Sequence, residues 1–91
     1  MSNYYSTING IVLTFSNVLI DENGFENIAT RFERVNESGF DFSEWKTPEL
    51  INTKTFGFSE DELFEQERYL RNNLLLIWEM AKEKEEVCNN A

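Results

Sequence analysis

Apolar and polar positions alternate through most of the first 57 residues and recur at three- and four-residue spacing in the last third, which predicts strands followed by one helix. The clearest strand signal is Ile8-Asn9-Gly10-Ile11. Its Asn-Gly pair separates Tyr4–Ile8 from Ile11–Phe15 and accepts the two positive φ angles of a type I′ hairpin turn. A second pair, Asn23-Gly24, lies between Val18-Leu19-Ile20 and Phe25–Val35. Residues 25–35 support two readings: Phe25, Ile28, Ala29, Phe32 and Val35 form a helical stripe, while the preceding turn favours a further antiparallel strand. The strand reading is adopted because Asn36-Glu37-Ser38-Gly39 then forms the next connection.

Phe40, Phe42 and Trp45 flank Asp41 and Glu44, suggesting an extended segment with its aromatic side toward the core and its charged side toward water. Pro48 ends it. Leu50–Phe56 reads as a last short strand rich in β-branched residues, and Gly57 breaks it. Ser59 and Glu62 have the spacing of a capping box, with Phe58 placed to staple onto Leu63. From there Leu63, Leu70, Leu74, Ile77, Trp78 and Ala81 trace a near-heptad seam, predicting a helix over 59–86. The expected fold is α+β, a small antiparallel sheet of four or five strands covered by one long C-terminal helix.

With 91 residues, one proline and no repeat or low-complexity tract, the chain is expected to be a single domain, 1–91. Hydrophobic residues make up 41 % and aromatics 14 %, enough to fill a core. No stretch reaches the roughly 20 apolar residues of a membrane span, and Met1–Tyr5 has no signal-peptide character, so a cytoplasmic location is expected. The single cysteine, Cys88, cannot close an internal disulfide and reads as an exposed, idle thiol.

Catalysis is poorly supported, since there is no histidine and the only cysteine is near the C-terminus. Carboxylates alone would need a cleft between facing walls and a raised pKa, of which the sequence gives no sign. Asp21-Glu22-Asn23-Gly24 resembles the start of a calcium loop, but aligning Gly24 with the loop glycine puts Leu19 and Thr30 at ligand positions, so it reads as a turn. Neither a metal nor a nucleotide cofactor is expected.

Charge adds more. The net charge is −9. Between positions 36 and 67, Glu37, Asp41, Glu44, Glu49, Glu60, Asp61, Glu62, Glu65 and Glu67 face only Lys46 and Lys54. This balance argues against direct binding to nucleic acid or an anionic membrane, and toward a protein partner with a basic, nucleic-acid-binding surface. Asp41, Glu44, Glu60, Asp61, Glu62 and Glu65 are the candidate phosphate mimics, with Trp45 or Trp78 as an apolar anchor. By analogy of class, and without homology, such a chain is expected to be an inhibitor of a host defence nuclease, of the anti-CRISPR or anti-restriction type carried by phages and mobile elements. The alternative is a toxin–antitoxin or housekeeping module that associates through its C-terminal helix. There, Leu74–Trp78 is too apolar all round for one sheet to cover: either the N-terminal strands wrap the helix, or Leu75, Leu76 and Trp78 form a surface for a homodimer or a partner.

Overall fold

At Asn9-Gly10 the φ angles are 52° and 78°, and Ile8 faces Ile11 across the turn, as the type I′ reading requires. The hairpin belongs to a computed structural model that describes the backbone of residues 2–89 and the side chains of residues 2–84. Its elements are β1 (Ser2–Ile8), β2 (Ile11–Ser16), β3 (Leu19–Ile20), β4 (Glu26–Asn36), β5 (Gly39–Thr47), β6 (Ile51–Phe56) and α1 (Glu60–Asn89). The strands pair antiparallel in the order β1-β2-β4-β5-β6, and the two-residue β3 pairs with the start of β4. The fold is thus α+β, as expected. Cys88 lies outside the described side chains.

Of residues 25–35, all but Phe25 belong to strand β4, which is paired on both sides, Leu13 with Phe32 and Phe32 with Ser43, and this places Ile28, Thr30 and Phe32 inward. The competing helical stripe is split by this parity: Phe25 and Val35 are exposed while Ile28 and Phe32 are buried. The Asn23-Gly24 connection is closed by Asp21, whose Oδ1 accepts hydrogen bonds from the amides of Asn23 and Phe25.

The orientation of β5 corrects the expectation for its aromatic side. Asp41, Ser43, Trp45 and Thr47 face α1 and are buried, whereas Phe40 is half exposed and Phe42 lies with it on the uncovered face. Residues 40 and 42 share a parity that 45 does not, so one strand cannot turn all three aromatics the same way. Outside the core, Phe42 packs instead against Phe56 at 6.4 Å, and the Arg31 guanidinium lies 4.3 Å from the Phe42 ring centre.

The helix begins as its cap predicts: Ser59 Oγ accepts the Glu62 amide at 3.2 Å, and Glu62 Oε1 accepts the Ser59 amide at 2.9 Å. Leu70, Ile77 and Ala81 are fully buried against Leu13, Phe15, Ile28, Phe32 and Trp45. Two amides occupy the same seam. Gln66 is buried and accepts a hydrogen bond from Ser43, and Asn73 accepts one from Tyr5 at 2.7 Å.

Both outer strands of the sheet carry an irregularity. The β1–β2 register shifts between Tyr4 and Ser6, and the β5–β6 register shifts between Glu44 and Trp45. Every residue of β6 is exposed. Among the described residues, no helix is long and apolar enough to cross a membrane.

Candidate functional site

Three of the six candidate acids are neutralised by arginines of β4. Arg34 donates to Asp41 at 2.8 Å through Nη2 and to Glu62 through Nη1, and its guanidinium lies 4.8 Å from the Phe58 ring centre. Asp41 faces the helix, buried, and also accepts Asn36 Nδ2 at 2.8 Å. Glu44 projects from the opposite face of the sheet, paired with Arg31 at 2.9 Å. Trp45 cannot serve as a surface anchor here: it is 4 % exposed, and its indole N–H donates to Ser43 Oγ at 2.9 Å. The strand alternation that buries Trp45 sends Glu44 to the other face, so the two do not converge.

The Arg34 contact has a consequence for pH. The hydrogen bond from Arg34, seconded by the Ser59 amide, holds the Glu62 carboxyl below the usual carboxylate range, and the same contacts, Glu62 before Asp41, raise the Arg34 pKa. A depressed folded pKa means that the stabilisation is complete above the ordinary glutamate value of about 4.3 and is lost as pH falls through the lower folded value. Glu62→Gln should therefore be less stable than the natural chain at neutral pH, with the gap narrowing below roughly pH 4. Urea midpoints across pH check this, and parallel curves for the two proteins would show that Glu62 ionisation is not linked to folding.

The remaining three acids, Glu60, Asp61 and Glu65, are exposed on the first two turns of α1. Asp61, Glu62 and Glu65 line a cavity of about 460 Å³ between the β1–β2 hairpin and the helix. Its apolar wall is Ile8, Ile11, Leu13, Phe32 and Tyr69, and Arg68 and Asn72 complete the lining on the helix side. Arg68 approaches Glu65 only to 3.9 Å, with both side chains more than half exposed, so the pair contributes little and the carboxylates dominate the mouth. Glu60 stands beside this rim in sequence and is not part of the lining.

Sequence reasoning missed the floor of this cavity. Gln66 lines it, is 5 % exposed, and has its Oε1 engaged by Ser43, while Nε2 has no hydrogen-bond partner among the described residues. Ser43 Oγ already takes the Trp45 indole N–H, so turning the amide over would only exchange which of its two ends is unpaired. A buried donor left in this state costs about 1–3 kcal/mol. The available signal was the spacing Leu63-Gln66-Leu70, which puts a glutamine on the buried stripe.

On the distal half of the helix, Leu75 is 76 % and Leu76 51 % exposed. Trp78 instead packs partly buried against the core, with its Nε1 unpartnered among the described residues. Among the described residues, no group of three or more His, Cys, Asp or Glu side chains is placed to hold a metal ion. Comparison with protein-family models, curated proteins and solved structures gives no match to this chain.

Proposed function

We propose that the protein acts without catalysis, by stoichiometric contact with a protein whose surface is basic, and that the acid-lined cavity mouth at the start of α1 makes the contact. The observation that carries this reading is the placement of Asp61 and Glu65 on the mouth of an apolar cavity, both exposed and met only by a long, exposed 3.9 Å contact from Arg68 to Glu65. Carboxylates on a rigid helix can occupy sites that otherwise hold nucleic-acid phosphates, and a net charge of −9 steers the approach. A nucleic-acid-binding surface of a host defence nuclease is the partner class we assign, making the chain an inhibitor of the anti-CRISPR or anti-restriction type. Asp41, Glu44 and Trp45 are not part of the proposed contact.

A second reading has its own observation: the exposed Leu75 and Leu76 favour association through the distal helix, with another chain or a second copy. Salt separates the two. Tagged protein is used to capture partners from lysate of the cell that expresses it, with washes at about 0.05 M and 0.5 M salt, where the Debye length falls from roughly 14 to 4 Å. A nucleic-acid-processing protein retained in stoichiometric amount at low salt and lost at high salt is the expected result. A partner that resists high salt and is lost on Leu75→Glu/Leu76→Glu would transfer the function to the distal helix.

A further inference from the structure

The helix α1 covers one face of the sheet and leaves the other open, although the open face is far from polar. Cross-strand pairing sets Phe40 opposite Val35 and Phe42 opposite Phe56 on it, and Val35 is 85 % and Phe56 65 % exposed. The rings form one cluster, with Phe40 6.2 Å and Phe56 6.4 Å from Phe42 between their centres. We infer that this face is the interface of a homodimer, in which two copies pack sheet to sheet with their strands antiparallel and both helices outward. The acidic mouth lies on the helix side and stays free in such a pair.

Size and charge both select a second copy. Five neighbouring strands about 4.8 Å apart, with a β5 of 9 residues rising about 3.3 Å each, give a face of roughly 700 Å², near the ~800 Å² that each partner of a standard interface buries. On it Arg31, Lys46 and Lys54 stand against Glu33 and Glu44, three charges minus two, in a chain of net charge −9, so this is where two copies approach with least repulsion. The same balance offers a basic protein no attraction, and the two carboxylates with the overall charge repel nucleic acid. Arg31 is already met by Glu33 at 3.1 Å and Glu44 at 2.9 Å, so burial leaves no lone charge at the centre.

The order of residues along the strands sets the register. A two-fold axis lying across the strands, between the Phe42 and Glu44 rows, reverses each strand onto its own copy. Arg31 then meets Glu33 of the second copy, Lys46 meets Phe40 and Lys54 meets Phe56, which are opposite-charge and cation–ring pairs. An axis along β5 would instead lay β4 over β6 and set Arg31 against Lys54.

The test follows the full chain by sedimentation equilibrium between about 1 µM and 1 mM, which reads dissociation constants across that range. The natural chain is expected to reach a mass twice the 10.7 kDa of one copy, and Leu75→Glu/Leu76→Glu to do the same. Two double variants at exposed rings, Phe40→Lys/Phe56→Lys and Phe40→Glu/Phe56→Glu, should keep dispersed amide spectra. The lysine pair faces Lys46 and Lys54 of the second copy and is expected to weaken association by roughly 100-fold or more, whereas the glutamate pair meets the same lysines and should associate about tenfold more tightly than the lysine pair at low salt. Net charge alone predicts the reverse order, since two lysines bring the chain from −9 to −7 and two glutamates bring it to −11. Association of the lysine variant as tight as that of the glutamate variant, or tighter, overturns the proposal, as does a dimer lost in Leu75→Glu/Leu76→Glu and kept in both ring variants. A natural chain that stays monomeric at the highest concentration overturns it too; if oligothymidylate then shifts the Phe40 and Phe56 ring signals, the face belongs to single-stranded nucleic acid.

Discussion

Replacing Gly57 by alanine is expected to cost about 3 kcal/mol of stability and to lower the melting temperature by roughly 12–24 °C. Gly57 joins β6 to the helix cap with a φ of 88°, a left-handed conformation that costs an L-residue about 1–2 kcal/mol. The remainder comes from contact. A Cβ at this position would lie 2.1 Å from Asp41 Oδ1 and 2.9 Å from Asp41 Cβ. That carboxylate cannot swing aside freely, because Arg34 holds one oxygen and Asn36 the other. Moving it breaks charge-assisted bonds worth about 1.5–3 kcal/mol each. The two contributions can be separated: in an Asp41→Gly background, which removes the Cβ as well as the carboxylate, Gly57→Ala should cost only the conformational part, about 1–2 kcal/mol. Thermal and urea unfolding of the four chains checks this, and an equal cost in both backgrounds would show that Asp41 does not restrict Gly57.

Reversing Asp61 and Glu65 together to lysine is expected to slow association with the captured partner by roughly 10–100-fold at low salt. Stability should change by less than about 1 kcal/mol, because both side chains are exposed and the loss is confined to the helix-dipole interaction and a long ion pair. Glu62 is unsuitable for this experiment despite its place on the cavity. Its carboxylate caps Ser59 and holds Arg34, so reversal there would disturb the start of the helix along with any contact. Association rates of the natural chain and the Asp61→Lys/Glu65→Lys double variant, measured at two salt concentrations, decide the matter. Equal rates at low salt would remove the acidic mouth from the mechanism.

The sequence conveyed the turns and the cap well because each is a local transaction between neighbouring residues. Asn9-Gly10 specifies its own φ angles, and Ser59 and Glu62 satisfy each other's backbone amides within one turn. What it concealed was long-range pairing. The acidic count taken from position 36 onward leaves out Arg31 and Arg34, the residues that neutralise Glu44, Asp41 and Glu62 once β4 pairs with β5 and the helix folds over. A reading of the seam by apolar residues alone likewise passed over Gln66 and Asn73, which lie on it and meet Ser43 and Tyr5 from the sheet. For β5 the information was present in the spacing: Phe40 and Phe42 differ in parity from Trp45, so the aromatic cluster had to divide between two faces.

The shifted registers at the two outer strands bear on behaviour at high concentration. A straight, flat margin offers its free amides and carbonyls as a template on which further chains can polymerise. Here each margin lies beside a bulge, and the β6 margin also carries Lys54, so an incoming strand would meet a bent ladder and a charge that resists dehydration. Both features disfavour the addition of a further strand at either flank, so the exposed aromatic face of the sheet is not continued by a regular edge on which fibrils could extend.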